Sequence, residues 1–339
     1  MPCARPQAAG PPPDWSLSPR QFDIVTDPDV RIPLPDGNVL AGFVVRPVTD
    51  APVPVIAGLH PYSNEFQAGP LMPEGFSRQR GWMESGDPGF FARRGYAHGV
   101  FNVRGTRKSS GYYPAMGPRR HATPRTRIAW LAGRPWCSGS VGTFGISYFA
   151  WLQIQAAMLA PPALRCIFAP FGATDFYREF LYHGGILSYR FLAGWRHNLD
   201  GLRYSSWFAG RHGDEAFSAA VAQALADEEI AAVPALAECL TAARRSAEGS
   251  AAFVTDIALS RFDTEFWAER RVSYADTSVP AYLGACWGLD GLHLAGALRS
   301  FEHDRIRGTD GVQHTRGALS GRIAAGLSPQ QLGRRDRCE

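Results

Sequence analysis

The sequence predicts an α/β protein: a parallel sheet with crossover helices, and a helical block inserted before its last strand. Three observations carry this. Short, unbroken apolar runs alternate with segments of helical spacing through the first half of the chain. One junction, VGTFGISYFAWLQIQAA at 141–157, sets Gly145 and Ser147 between a strand and a helix. From 176 to 270 the chain is largely Ala-rich helical segments such as DEAFSAAVAQALADEEIAAV, with little strand character.

The elements follow in order. Residues 1–20, rich in Pro, Ala and Gly, are expected to be a disordered tail. VRIPLPDGNVLAGFVVRP folds back at Pro35-Asp36-Gly37-Asn38, because Asp-Gly between apolar runs is a hairpin signal. VPVIAGLH (53–60), YAHGVFNVRG (96–105), GSVGTFGI (139–146) and LRCIFAPFG (164–172) are continuous apolar runs, as in strands buried on both faces. IAWLAGRPW (128–136) has helical spacing, and the stretch from Ser147 to Met158 reads as a helix stopped by Pro161-Pro162. VPAYLGACWG (279–288) is the fifth such strand. The insertion at 176–270 then caps the C-terminal edge of the sheet, where open α/β sheets bind ligands. The expected layout is a core of 21–175 and 271–302, a cap of 176–270, and an atypical tail of 303–339. That tail has no aromatic residue but seven Arg and six Gly, so little is available to build a core.

Composition narrows the function. The net charge is +4, but the chain has a single lysine, Lys108, and its arginines are scattered, which argues against a nucleic-acid partner. No run of about 18 apolar residues or apolar leader is present, so neither a membrane span nor a signal peptide is expected. The six cysteines, at 3, 137, 166, 239, 286 and 338, form no CxxC pair and are read as reduced thiols of a cytoplasmic protein. No HExxH, P-loop or GxGxxG occurs, so no metal or organic cofactor is expected. A homo-oligomer is compatible with all of this.

Ser147 has two readings on local grounds. G-x-S is a common tripeptide and serine is a good N-cap. Equally, a strand–Gly-x-Ser–helix turn is what a nucleophile elbow needs: Gly145 lets the backbone close, and the helix start offers bare N–H groups to a developing oxyanion. The second glycine usual in such elbows is replaced by Phe149.

FGISYFAWLQIQAA resembles the nucleophile stretch of the CocE/NonD hydrolases, a family that spans cocaine esterases, X-Pro dipeptidyl-peptidases and α-amino-acid ester hydrolases. Gly145, Ser147, Tyr148, Gln153, Gln155, Ala156 and Ala157 match its pattern, and Ala150 stands where the family prefers Gly. Further matches are collinear: His60-Pro61-Tyr62, Asn102-Val103-Arg104-Gly105 with Ser109-Ser110-Gly111, Trp130-Leu131 with Pro135-Trp136, Asp175-Phe176-Tyr177-Arg178, Phe266-Trp267-Ala268-Glu269-Arg270 and Val279-Pro280. They cover about residues 22–302.

The resemblance implies an α/β-hydrolase fold with a helical cap, and a serine hydrolase cleaving an ester or amide of a small molecule or short peptide. Ser147 is the implied nucleophile, Asp290 the acid and His314 the base. The Tyr148 N–H and the Tyr62 hydroxyl are the implied oxyanion donors. Each has a plainer alternative: Tyr62 packs under the cap, Asp290 is a solvated loop residue offset from Trp287, and His314 lacks aromatic surroundings. His293 is implied to be structural. Asp214, Glu215, Asp227, Glu228 and Glu229 in the cap would either bind a substrate ammonium or be solvated. The family's C-terminal jelly-roll is expected to be missing, and Pro118–Arg127 is basic where the family is acidic. Small reading-frame changes would account for both departures. The rival reading is a truncated, non-enzymatic remnant or binding protein.

Overall fold

The computed structural model describes residues 17–67, 84–115, 123–199, 201–272, 279–285 and 290–303. Strand β1 (Ile24–Pro33) and strand β2 (Val39–Pro47) form an antiparallel hairpin, closed by Gly37 N–H donating to the Leu34 carbonyl (3.0 Å). Gly37 sits at φ +82°, which explains the Asp-Gly pair. The continuous apolar runs become β3 (Val53–His60), β4 (Ala97–Asn102), β5 (Cys137–Phe144) and β6 (Leu164–Pro170). Every residue of β4 is buried, as expected of a strand covered on both faces.

Between the strands lie α1 (Asn64–Gln67), α2 (Pro88–Ala92), α3 (Thr123–Ala132) and α4 (Tyr148–Met158). Asp87 caps α2, accepting the Gly89 N–H at 2.8 Å, with Pro88 in the first turn. Helix α3 starts earlier and stops sooner than its periodicity suggests. Gly133 and Pro135 end it, since Pro135 pushes Arg134 out of helical conformation.

The block after β6 opens with a π-helical turn, Tyr177–Leu181, and a ribbon that the sequence did not reveal, β7 (Tyr182–His183) with β8 (Ile186–Leu187). Helices α5 (Tyr189–Asn198), α6 (Trp207–His212), α7 (Asp214–Leu225), α8 (Glu228–Ala231), α9 (Pro234–Ala243), α10 (Gly249–Leu259) and α11 (Glu265–Ala268) follow. Strand β9 (Ala281–Gly284) then returns to the sheet, and α12 (Ala295–His303) closes the described chain. The sheet order is β1-β2-β4-β3-β5-β6-β9, parallel from β4 onward. This is an α/β-hydrolase sheet.

The two ends of the helical block are tied together. Val272 N–H donates to the Thr174 carbonyl (2.7 Å), and Asp175 accepts from Arg178 (2.8 Å) and Arg271 (2.9 Å). Buried Glu179 accepts the Thr174 and Asp175 amides (2.7 and 3.0 Å) and pairs with Arg299 of α12. Inside the block, buried Asp256 accepts from Tyr204 (2.5 Å), Ser206 (2.8 Å) and the Trp207 amide at the start of α6 (2.6 Å). The acidic residues at 214, 215 and 227–229 stand at helix starts, and Asp227 accepts the Glu229 N–H at 2.9 Å.

Two buried groups are out of keeping with their surroundings. Arg127 of α3 is 1% exposed, and its Nε and one Nη have no hydrogen-bond partner among the described residues. Burial brings its pKa down to about 10, so it remains a cation at neutral pH. An unpaired buried cation is costly, and a hydrophobic residue of similar volume removes that cost. Arg127→Met is therefore expected to stabilise the protein by about 1–4 kcal/mol. Thermal melting reads this as a Tm several degrees higher, and a lower Tm would show that the guanidinium is satisfied.

His98 of β4 is fully buried, lies edge-on to Phe91, and neither ring nitrogen has a partner among the described residues. Burial lowers its pKa from 6.5 to about 3, so the fold accommodates only the neutral ring. Its contribution is complete above about pH 6.5 and is lost as pH falls toward 3, amounting to about 2 kcal/mol by pH 5. His60 and His293, lowered to about 3 and about 4, act in the same sense, whereas Glu84, raised to about 7, acts against them. His98→Leu isolates one term. Between pH 8 and pH 5 the variant should lose about 2 kcal/mol less than wild type in denaturant titrations. An equal loss in both would mean the ring is protonated without penalty.

Among the described residues no helix is long and apolar enough to cross a membrane, and no group of His, Cys, Asp or Glu is placed to hold a metal ion. Cys137, Cys166 and Cys239 are free thiols.

Candidate active site

The chain leaves β5 at Phe144 and enters α4 at Tyr148 with only three residues between. That turn forces Ser147 to φ +60°, ψ −119°, a conformation L-residues rarely adopt. Gly145 sits at φ +142°, and a Cβ there would lie 2.6 Å from the Cβ of Phe149. Buried Gln153 holds the turn from below: its amide donates to the Gly145 carbonyl (2.7 Å), and its oxygen accepts the Phe168 N–H of β6 (3.1 Å). The Ile146 N–H donates to the Glu84 carbonyl at 2.9 Å. Ser147 is half-buried, and its side chain makes no capping bond to α4, which removes the N-cap reading.

Phe149, in place of the usual glycine, is accommodated by its neighbours. Its ring stacks on His60 (5.0 Å between centroids) and occupies space that a Cβ at Gly58 would enter, 2.8 Å away. A strand glycine facing the helix thus offsets the missing helix glycine.

At the start of α4 the Phe149 and Trp151 amides donate to Ile146 and Ser147 carbonyls, whereas no acceptor takes the Tyr148 N–H among the described residues. It is one of the bare amides at a helix start, at the positive end of the helix dipole. Tyr62, just beyond β3, packs against the side chain of the same residue: its ring lies edge-on to that of Tyr148 with centroids 6.1 Å apart. Tyr62 is 6% exposed, and Asn102 of β4 donates to its carbonyl (3.0 Å). Trp195 of α5 donates its indole N–H to the Tyr62 hydroxyl oxygen (3.3 Å). An indole only donates, so this contact uses a lone pair of the phenol and not its hydrogen. Burial, with the nearby Glu84 carboxyl, raises the Tyr62 pKa well above 10, so the phenol stays protonated.

The Tyr148 hydroxyl meets that of Tyr113 at 3.1 Å, and Tyr113 packs edge-on to Phe253 of α10. The helical block thus meets Tyr62 and Tyr113 through aromatic rings, and Trp195 and Tyr113 join the site although no local pattern marked them. A cap residue that contacts a loop 133 positions earlier has no sequence signal.

The other implied residues are less fully placed. Asp290 begins a π-helical turn, Asp290–Leu294, that leads into α12, and its side chain lies outside the described residues. His314 lies outside them altogether. His293 is buried against Phe171 and Phe180, an apolar setting that suits a structural ring.

Residues 36–316 match the sequence profile of a family described as X-Pro dipeptidyl-peptidase (S15 family). Over 169 residues, 49% of this chain, the sequence is 33% identical to cocaine esterase of Rhodococcus sp. (strain MB1 Bresler), covering 27% of that protein. A CocE/NonD family hydrolase from Staphylococcus aureus superposes with a TM-score of 0.57 at 23% identity, over 83% of this chain and 44% of its own. An aminopeptidase from a marine sediment Thaumarchaeota archaeon gives a TM-score of 0.60 at 18% identity, over 88% and 49%. An α-amino acid ester hydrolase gives 0.57 at 17% identity, over 89% and 48%. The structural likenesses speak for the fold, and the chain spans less than half the length of each of these relatives.

Proposed function

The chain belongs to the X-Pro dipeptidyl-peptidase family, S15, and we propose on that footing that it is a serine hydrolase acting on an ester or amide. The observation that carries this is the turn at Ser147: a side chain held at positive φ on a strand–helix junction, beside an amide with no acceptor among the described residues, with the buried, neutral Tyr62 packed edge-on to the next residue, Tyr148.

The roles follow from the chemistry. The Ser147 oxygen attacks the carbonyl carbon while its proton passes to a histidine, assigned to His314, whose ring Asp290 orients. The carbonyl oxygen becomes an oxyanion that accepts from the Tyr148 N–H and the Tyr62 O–H. Collapse expels the alcohol or amine, which takes the proton from the histidine, and water then releases the acyl group by the same steps in reverse order. The aromatic cover supplied by the cap keeps the site dry, which strengthens both oxyanion contacts. A small-molecule or short-peptide substrate fits a site closed in this way.

A fluorophosphonate probe tests the reading, with the adduct located by peptide mass spectrometry. The expected result is one adduct, on Ser147, with p-nitrophenyl acetate turnover falling in step with labelling. No labelling and no turnover would favour the non-enzymatic binding protein.

A further inference from the structure

The proposed oxyanion hole is assembled from two separate loops. The Tyr62 hydroxyl comes from the segment after β3, and the Tyr148 amide from the elbow after β5. Their relative position must hold to a fraction of an ångström, because a displacement of about 1 Å at a reacting centre costs up to about 100-fold in rate. Something must therefore join the two loops.

Gln67 and Glu84 stand where that joint is needed. Gln67 ends α1, the turn that follows Tyr62, and its own amide donates to the Ser63 carbonyl (3.2 Å). Its side chain is wholly buried and makes two hydrogen bonds to one residue: the Nε2 donates to the Glu84 carboxyl (2.8 Å), and the Oε1 accepts the Glu84 backbone N–H (3.2 Å). Glu84 in turn accepts the Ile146 N–H on its carbonyl (2.9 Å), one residue before Ser147. An unbroken series runs from the Tyr62 loop through the Gln67 side chain to the Glu84 backbone and on to the elbow. Two side-chain bonds to one partner fix both distance and orientation, which a single bond does not. The other hydrogen-bonded braces described above act on one side only, Asn102 and Trp195 on Tyr62 and Gln153 on the elbow, while the His60–Phe149 and Tyr62–Tyr148 ring contacts cross between the loops without the directional hold of a hydrogen bond.

We propose that Gln67 and Glu84 are positioning residues of the oxyanion hole, a bracket that sets the Tyr62 hydroxyl against the Tyr148 amide. This rests on the serine-hydrolase reading above. Neither residue touches the reacting atoms in this scheme; each acts by keeping the two donors in register. The carboxyl of Glu84 also adds to the field that keeps the Tyr62 phenol protonated.

The test is p-nitrophenyl acetate kinetics per fluorophosphonate-titrated serine, with Tm measured alongside. Gln67→Ala removes both side-chain bonds, and kcat is expected to fall about 10- to 100-fold with KM within about 3-fold of wild type. Gln67→Glu sets acceptor against acceptor and should do the same. In Gln67→Glu/Glu84→Gln the donor moves to position 84 while the acceptor for its N–H remains at 67. The bracket is restored in reversed polarity, and kcat should return to within about 3-fold of wild type. Single variants with unchanged kcat, or a correctly folded double variant as slow as the singles, would overturn the bracket while leaving the hydrolase reading standing. A wild-type protein with neither label nor turnover would remove both.

Discussion

Ser147→Ala is expected to lower ester turnover on the order of 10⁴-fold or more, with circular dichroism and melting unchanged. A nucleophile that forms the covalent intermediate cannot be replaced by water at comparable rate, so the loss should match that from removing the histidine base and exceed that from removing either oxyanion donor. Ser147→Gly separates chemistry from backbone strain. A non-glycine residue at φ +60°, ψ −119° costs about 1–3 kcal/mol, and glycine adopts that conformation without a Cβ clash. Part of the gain is offset by the greater freedom of glycine in the unfolded chain, leaving about 1 kcal/mol in favour of the glycine variant. Both variants should therefore be inactive, but the glycine variant should melt higher than the alanine variant. A serine that could be replaced by alanine with activity intact would end the nucleophile assignment. A glycine variant less stable than the alanine variant would mean that the turn is not strained.

The second large effect concerns Tyr62. Tyr62→Phe removes one of the two proposed oxyanion donors, and kcat should fall about 10²–10³-fold with little change in KM, since the oxyanion exists only in the transition state. The same substitution takes away the acceptor of the Trp195 indole, leaving a buried donor unpaired at a cost of about 1–3 kcal/mol, so Tm should fall as well. The pH dependence sharpens the test. The phenol's pKa is pushed well above 10, so Tyr62 remains a donor throughout the working range. The ratio of wild-type to variant kcat should then be the same at pH 6 and at pH 9. A loss seen only in KM, or one that vanishes at high pH, would place Tyr62 in substrate binding or in packing instead.

The two predictions draw on different kinds of information. Ser147 was legible because everything that makes it unusual is local: a buried run ending at Phe144, a glycine where a Cβ would strike Phe149, and a helix beginning one residue later. The hairpin at Asp36-Gly37 and the strands β3 to β6 were legible for the same reason, since turn chemistry and apolar periodicity act over a few residues. The proposed donor role of Tyr62 rests on the matched His60-Pro61-Tyr62 segment, as nothing in its immediate neighbours marks a donor.

What the sequence determined by itself is the order of elements, the buried parallel strands and the strained turn that holds Ser147, because each is written in neighbouring residues. The tertiary structure alone decided that Trp195 reaches Tyr62, that Gln67 grips Glu84, that Phe149 rests where Gly58 leaves room, and that Arg127 is shut inside without a full set of partners among the described residues. These contacts depend on the twist and register with which distant segments meet, and no period along the chain encodes where two such surfaces will touch.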